Sequence, residues 1–186
     1  MSPWHEGELV LQRSIGVDEA LSDIGAKVVR PYLTEQHRDF FPQLPFAVLG
    51  TVDPSGDVWA TLRAGRPGFL SSPDPERLDL ALRPESWDPA EAGIQDGLPI
   101  ALLGIQLTTR RRNRLNGPVK ERTSRGFSIA VGQSFGNCPK YITLRGEAEP
   151  AEESVEPPQK LERLDQAARR MIAEAKTFFV ASYATG

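Results

Sequence analysis

The sequence predicts a mainly β protein, an antiparallel barrel or sandwich with peripheral helices. Short runs of strand-forming residues follow one another closely between residues 46 and 148, and few helical patterns lie between them. The 186 residues include 16 Gly and 16 Pro, a share above average usage that predicts frequent turns. Strands at such close spacing favour antiparallel pairing, because parallel strands need long crossover connections.

The composition is that of a soluble protein with a substantial core. The chain is 39% hydrophobic and 25% charged, with a formal net charge of -3. No window approaches the roughly 18 to 20 consecutive apolar residues of a membrane helix. The N-terminus has neither the basic start nor the apolar core of a signal peptide. We therefore expect a cytoplasmic protein without membrane contact.

Few residues suit metal or nucleophilic chemistry. One cysteine, Cys138, leaves no internal disulfide, and two histidines, His5 and His37, are too few for a zinc site of ordinary spacing. Neither histidine lies near Cys138 in the sequence, so a cysteine nucleophile is disfavoured and no catalytic side chain is assigned. The acidic net charge also argues against general nucleic-acid binding.

Residues 1–45 are predicted to form a helical segment that packs on the barrel. Apolar residues recur at three- and four-residue spacing from Val17 to Val28, which predicts a helix ending before Pro31. Thr34 can cap a second helix over EQHRDFF, which would stop at Pro42.

Residues 46–148 are predicted to form the barrel. The turn sequence DPSG joins two strands into a hairpin, and Asn116-Gly117 signals a second hairpin turn. The region Pro84 to Gly97 is expected to be a loop with one helical turn at Pro89 to Gly93. The predicted strands are Phe46–Val52, Val58–Ala64, the run FLSS, Leu78–Leu82, Ile100–Leu107 continuing into TTRRRNRL, Phe127–Gln133 and the closing run YITLRGEA.

The C-terminal part is expected to hold a linker, a helix and a strand. Residues 149–159 are acidic without a basic residue, which predicts a solvated linker. Within residues 160–186, an amphipathic helix is predicted before the strand-like run TFFVASYATG. An unpaired strand is an aggregation hazard, so Phe178–Tyr183 should add to a sheet in this chain or in a partner. The succession of this helix and FFVAS also resembles the earlier succession of a helix and FAVLG, so it could begin a second barrel half.

The stretch TTRRRNRLNG contains four arginines, Arg110, Arg111, Arg112 and Arg114. On a strand, alternation would place Arg110, Arg112 and Arg114 on one face and Arg111 with Asn113 on the other. Three guanidiniums on one face favour an anion such as phosphate. A solvated basic strand, or salt bridges to the acidic linker, would explain the cluster equally well. Nucleic-acid binding is the least favoured alternative, because no aromatic residues are interleaved with the arginines.

The loop QSFGNCPK is a second candidate for ligand binding. Gln133, Asn137 and Lys140 could present amide and ammonium groups to a polar ligand. An ordinary surface turn is equally consistent with the same residues.

The predicted first hairpin contains a third candidate. Trp59, Thr61 and Arg63 share a face by alternation, and Ser71 and Ser72 end the next strand. That face could receive a flat, phosphorylated ligand. The alternative is a half-buried strand whose Trp packs in the core.

Three stretches together resemble a known family: LPFAVLGTVDPSGDVWATLRAGRPGFLSSPDPERL, IALLGIQLTTRRRNRLNGPV and QSFGNCPKYI. They are similar to the pyridoxamine 5′-phosphate oxidase-like family of FMN-binding split β-barrels, in its branch of flavin-nucleotide-binding proteins with a GNCPKYI signature. The resemblance covers about Glu35 to Arg145. It implies a six-stranded antiparallel split barrel that forms a homodimer, with FMN at the subunit interface.

The resemblance also implies which side chains hold the flavin. In that family, basic and hydroxyl groups of the hairpin return strand and the next strand hold the phosphate, and another strand approaches the flavin from the other side. Together with Trp59, the residues implied as cofactor-binding are Thr61, Arg63, Ser71, Ser72, Arg112, Arg114, Asn116, Gln133, Asn137 and Lys140.

The implied function is that of an FMN-dependent oxidoreductase whose substrate the sequence does not identify. The flavin would carry the redox chemistry while the protein orients it, and a nicotinamide nucleotide is the expected electron donor. The alternative is a flavin-binding or ligand-free split-barrel module that acts in assembly or sensing without turnover.

Overall fold

The structure of the protein, a computed structural model, describes residues 4–138, 140, 142–146 and 161–184. The helices are α1 (Glu6–Ser14), α2 (Asp18–Val28), α3 (Glu35–Phe40) and α4 (Gln166–Glu174), and short 3₁₀ segments cover Phe41–Gln43 and Pro89–Gly93. The strands are β1 (Phe46–Val52), β2 (Val58–Ala64), β3 (Leu70–Ser71), β4 (Arg77–Leu80), β5 (Pro99–Gln106), β6 (Arg111–Thr123), β7 (Gly126–Ala130) and β8 (Gln133–Gly136).

The strands form one antiparallel sheet, in agreement with the predicted mainly β class. Their order is β2-β1-β5-β6-β7-β4-β3, and β8 also pairs with β6. In the part of the chain that the structure describes, no pairing joins β2 to β3, so the sheet is not closed. None of the helices among those residues is long and apolar enough to span a membrane.

The described sheet has eight strands, where the resemblance implies six. Two local features raise the number. β7 and β8 lie along the same edge of β6, and one extra residue on their side separates the pair Val119–Ile129 from the pair Asn116–Gln133. An extra residue of this kind interrupts the hydrogen-bond ladder, so one edge becomes two short strands. The two-residue β3 is a further short strand at the end of the sheet.

The predicted hairpin turn at Asn116-Gly117 is wrong, because β6 runs unbroken through both residues. The turns lie instead between Gln106 and Arg111 and between Thr123 and Gly126. Gly117 permits a close approach of two backbones: a Cβ atom there would lie 1.8 Å from the carbonyl oxygen of Ala130. Glycine at this position therefore serves strand packing at the β7–β8 bulge and not a turn.

Other predicted elements change length or disappear. The runs FLSS and Leu78–Leu82 shorten to β3 and β4. The closing run YITLRGEA contributes no strand over residues 142–146, and its other residues lie outside the described ones. The linker 149–159 also lies outside them. The C-terminal helix is present as α4, whereas the strand predicted over Phe178–Tyr183 pairs with no strand of the described chain, and residues 177–184 belong to no helix or strand.

The hydrophobic core lies on one side of the sheet, which we call the inner face. Alternate residues of the central strands point into it, and α3 with the following 3₁₀ segment covers it. Thr34 caps α3 as predicted, since its hydroxyl accepts a hydrogen bond from the His37 amide at 3.3 Å. In contrast, α1 buries only Gln12 and α2 only Gly25. Core side chains include Phe40, Phe41, Leu44, Leu49, Leu102, Leu115 and Ile129.

His37 is a buried titratable group in this core. Its Nδ1 lies 2.7 Å from the Ser134 hydroxyl, which joins α3 to β8. Burial lowers the pKa of His37 below its ordinary value of 6.5, and the nearby charges of Arg30 and Arg111 lower the pKa further. The imidazole is therefore held neutral in the folded protein.

We expect stability to fall as the pH drops below about 6.5, the pKa of an unfolded histidine, because the unfolded chain then binds a proton that folded His37 resists. Above that pH both states are neutral at this position and the contribution is constant. The free energy of unfolding, measured by urea denaturation between pH 7.5 and 5.5, should lose part of its pH dependence in His37→Asn. The exposed His5→Asn is the control, and an equal loss in both variants would contradict the assignment.

Replacing Gly117 tests the close approach of β6 and β7. We expect Gly117→Ala to lower the free energy of unfolding by about 1 to 3 kcal/mol, because the added methyl overlaps the Ala130 carbonyl. Gly146→Ala, where a Cβ meets no atom within 4 Å, is the matched control. Urea denaturation of both variants should separate them, and equal stability would refute the packing role.

Candidate ligand-binding face

The side of the sheet opposite the core, which we call the outer face, is the candidate binding surface. The strand registers place its members side by side, because residues two apart on one strand point the same way. They line a cavity of about 2690 Å³. The outer-face residues are Val48 and Gly50 of β1, Ala60 and Leu62 of β2, Ala101, Leu103 and Ile105 of β5, Arg112, Arg114 and Asn116 of β6, and Gln133 and Phe135 of β8.

Two arginines give this apolar face its charge. Arg112 and Arg114 pair with Ile105 and Leu103 across β5–β6, so their guanidiniums leave the sheet beside apolar neighbours. Desolvation, and then the like charge of Arg112, lower the pKa of Arg114. Neither arginine forms a salt bridge among the described residues. The alternation predicted for Arg112 and Arg114 is confirmed, but Arg110 lies in the preceding turn with φ 62° and not on the strand.

Hydrogen bonds tie β8 and the following loop to these arginines. The Asn116 amide donates to the Gln133 side-chain oxygen at 3.2 Å, within one cross-strand pair. Arg112 Nη2 donates to the Cys138 carbonyl at 3.0 Å, and the Asn137 backbone N–H donates to the Arg112 carbonyl at 3.0 Å. Arg112 Nε and Asn137 Oδ1 are buried and have no hydrogen-bond partner among the residues that the structure describes. Each is a group for which a bound partner would be favourable.

The predicted β2 set lies on the inner face, on the opposite side of the sheet from Arg112 and Arg114. Trp59, Thr61 and Arg63 share a face as predicted, but their partners in the register are the inner-face residues of β1. The Trp59 indole N–H donates to Asp53 at 2.9 Å, and the Thr61 hydroxyl donates to Asp88 at 2.6 Å. Both polar groups are therefore already satisfied within the chain.

Arg63 is surrounded by acidic residues. Its side chain is 2% exposed and its Nη1 lies 3.0 Å from Glu91 Oε2. Nε lies 3.1 Å from Glu85 Oε1, at an angle that makes an ion pair without a hydrogen bond. Nη2 donates to the Arg83 carbonyl at 2.5 Å, and Arg122 pairs with the second oxygen of Glu91. The charge of Arg63 is compensated before any ligand arrives.

The remaining predicted residues lie elsewhere. Ser71 is exposed on β3, opposite Asp79. The Ser72 hydroxyl accepts a hydrogen bond from Arg38 at 3.2 Å and donates to the Asp74 carbonyl at 2.6 Å. Lys140 is exposed and does not line the outer-face cavity. The structure thus brings together Arg112, Arg114, Asn116 and Gln133, with Asn137 adjacent, and separates them from the β2 and β3 sets.

Several residues at these sites were not found by sequence reasoning. Glu85 and Glu91 come from the region interpreted as a loop, and Arg122 lies on the part of β6 beyond the expected turn. The excess of carboxylates in that loop was the available signal, but their target depends on how the loop returns to the sheet. Trp4 and His5 also line the outer-face cavity and carried no recognisable pattern.

Residues 177–184, which we call the strap, lie along the outer face. Arg145 Nη2 donates to the Thr177 hydroxyl at 3.2 Å, and the Arg145 backbone N–H donates to the Leu107 carbonyl at 3.2 Å. Farther along, the Ala181 Cβ lies 3.4 Å from where a Cβ on Gly50 would be. The strap therefore crosses from the β5–β6 turn to the middle of β1.

Comparisons with known proteins give no family for this chain. No family model matches it, and no curated protein matches it. Among solved structures, HupZ of Group A Streptococcus is 14% identical, with a TM-score of 0.46 over 61% of this chain and 99% of that one. A histidine-to-alanine variant of HupZ gives 14% identity and a TM-score of 0.45 over 56% and 99%. An F420 reductase is 13% identical, with a TM-score of 0.37 over 57% of this chain and 97% of that one. Structural similarity at these TM-scores does not indicate a function for this chain.

Breaking the Arg63 cluster tests whether it stabilises the fold. We expect Glu91→Gln to cost about 3 to 5 kcal/mol of unfolding free energy, because it leaves the buried Arg63 charge poorly compensated. Glu121→Gln removes a carboxylate that is 64% exposed and paired with Arg77, so it should cost at most about 1 kcal/mol. Urea denaturation measures both, and equal effects would contradict a stabilising role for the cluster.

Proposed function

We propose that this chain is an FMN-binding flavoprotein, an oxidoreductase of the pyridoxamine 5′-phosphate oxidase-like split-barrel type. The observation that supports this most directly is the pair Arg112 and Arg114, which stand on an apolar sheet face without a salt-bridge partner among the described residues. A planar conjugated ring with a phosphate group suits such a surface. The apolar side chains can contact the ring while the guanidiniums bind the anionic parts.

The two predicted halves of the site differ in how well they suit FMN. The outer face offers the cations Arg112 and Arg114, which form no salt bridge among the described residues, and the polar pair Asn116–Gln133. The buried Arg112 Nε also has no hydrogen-bond partner in that part of the chain. The β2 residues do not suit the phosphate, because two carboxylates already compensate Arg63 and Asp88 accepts from Thr61. We therefore assign the flavin to the outer face and leave the β2 set out of it.

On this assignment the protein has a binding and electrostatic role. When bound, FMN supplies the redox chemistry. Arg112 and Arg114 would hold its anionic groups, Leu103 and Phe135 would contact its apolar surface, and Gln133 would bond its polar edge. The proposed electron donor is a nicotinamide nucleotide. No protein acid or base is required by this arrangement.

A homodimer is part of the proposal. Leu62 remains 54% exposed on the outer face, and Val58, four residues earlier on the same face of β2, is 40% exposed, with the exposed Ala60 between them. Contiguous exposed apolar residues of this kind are typical of interaction surfaces. A second copy across this face would enclose the flavin between two sheets.

A split-barrel module without turnover is the second candidate. It is favoured by the compensated charge of Arg63, which removes the phosphate site that the resemblance implies on β2. Flavin bound tightly but never reduced by a nicotinamide nucleotide would favour this alternative.

The first experiment is a visible absorption spectrum of the purified chain, with identification of any released chromophore and the native mass measured in parallel. A yellow dimer that releases one FMN per chain is the expected result. Reduction of the bound flavin by NADH or NADPH, followed by reoxidation, tests the oxidoreductase. A colourless protein that takes up no added FMN would overturn the proposal.

Arg114 gives the sharpest single-residue test of the proposed face. We expect Arg114→Ala to weaken FMN binding about 10- to 150-fold, because a charge-assisted hydrogen bond contributes roughly 1.5 to 3 kcal/mol. Arg125→Ala removes an exposed arginine in the β6–β7 turn and should leave the affinity unchanged. Fluorescence titration with FMN measures both. A larger loss of FMN affinity in Arg63→Ala, at unchanged stability, would instead indicate that Arg63 on β2 binds the FMN phosphate.

A further inference from the structure

The strap has the exposure pattern of a strand but is not paired as one. Phe178 and Val180 are 78% and 77% exposed, whereas Phe179 and Ala181, which alternate with them along the chain, are half-buried. Alternation of this kind means that one side of the strap faces the sheet and the other faces solvent. Thr177 accepts a hydrogen bond from Arg145, and Ala181 packs against Gly50.

Weak attachment distinguishes the strap from the sheet that it crosses. Among the described residues, no backbone hydrogen bond joins residues 177–184 to any strand. The strap is held instead by the Arg145–Thr177 side-chain bond and by the inward side chains. Segments with few buried contacts and no backbone ladder open at low free energy. Displacing the strap therefore costs much less than opening any strand of the sheet.

The strap covers the surface that the proposed flavin needs. Its contacts with Arg145 and Gly50 place it across β5, whose residues Leu103 and Ile105 stand directly beside Arg114 and Arg112. The same cavity is lined by the strap and by both arginines. With the strap in place, Val48 and Ile105 are 7% and 5% exposed whereas Leu62 stays 54% exposed, so a planar ring can contact the covered part of the outer face only after the strap moves.

We infer that the strap is an intramolecular competitor for the flavin site, and that FMN and the second copy bind after it leaves the outer face. This inference rests on the proposed function, because it concerns the regulation of that same site. Its quantitative form follows from linkage: the apparent dissociation constant equals the intrinsic value divided by the fraction of chains whose face is uncovered. Stabilising the covered form must weaken FMN binding, and destabilising it must tighten FMN binding.

A reversible crosslink tests the inference directly. The 3.4 Å between the Ala181 Cβ and the Cβ position at Gly50 is close to the Cβ–Cβ distance of a disulfide, about 3.5 to 4.5 Å. The variant Gly50→Cys, Ala181→Cys, Cys138→Ser has no other thiol, because the chain contains one cysteine. We expect the disulfide to form on oxidation, as measured by thiol titration and by mass.

FMN titration of the oxidised and reduced forms of this one variant then gives the result. We expect oxidation to weaken FMN binding at least about tenfold and to lower the native mass to that of a monomer, and reduction to restore both. Equal FMN affinity in the two forms, or failure of the disulfide to form, would overturn the inference while leaving the proposed function intact. If neither form nor the natural chain binds FMN, the proposed function fails together with the inference.

Two neighbouring phenylalanines provide a matched pair without a crosslink. Phe179→Ser removes an inward side chain and should tighten FMN binding by about two- to tenfold, because the uncovered fraction rises. Phe178→Ser removes an equally large side chain that points to solvent, so the affinity should not change. Equal effects of the two variants, or weaker binding in Phe179→Ser, would contradict competition by the strap.

Discussion

Alternation of side chains along β6 is the constraint on which the other features depend. This strand pairs with β5 on one edge and with β8 and β7 on the other, so its register is fixed from both sides. A slip of one residue would move Leu115 out of the core and bring Arg114 into it. Burying an unpaired guanidinium among apolar side chains costs several kcal/mol, which excludes the slipped register. The same alternation that builds the core therefore places the two arginines on the outer face.

Charge is divided between the two faces of the sheet in a way that separates structure from binding. On the inner face, Glu85 and Glu91 compensate Arg63, and the 3₁₀ segment at Pro89–Gly93 is thereby attached to β2. On the outer face, Arg112 and Arg114 have no such counter-ions among the described residues. A buried cation whose charge is compensated offers little to a ligand, and loss of one of its partners destabilises the fold, whereas an uncompensated cation beside apolar surface attracts an anion.

Attachment to the sheet also differs between the two faces. The inner face is covered by α3 and the residues after it, of which Phe40, Phe41 and Leu44 are fully buried. The strap lies over the outer face and contributes side-chain contacts but, among the described residues, no backbone hydrogen bonds to the sheet. Local stability follows the number of buried contacts and protected hydrogen bonds. The cover of the inner face is therefore permanent, whereas the strap on the outer face can be displaced. Arg112 and Arg114, which form no salt bridge among the described residues, lie on the outer face.

The sequence by itself determined the elements that depend on local pattern: the first hairpin, α3 with its Thr34 cap, the helical turn at Pro89–Gly93, and the faces of Trp59, Thr61 and Arg63 relative to one another. Only the tertiary structure decided which of those faces meets the core and where Gly117 is needed. It also decided that Glu91 reaches Arg63 and that residues 177–184 lie on the outer face. The reason is physical: alternation and capping act over a few residues and can be counted along the chain. The side of a sheet that becomes the core, and the partners of a buried charge, depend on contacts between segments far apart in sequence.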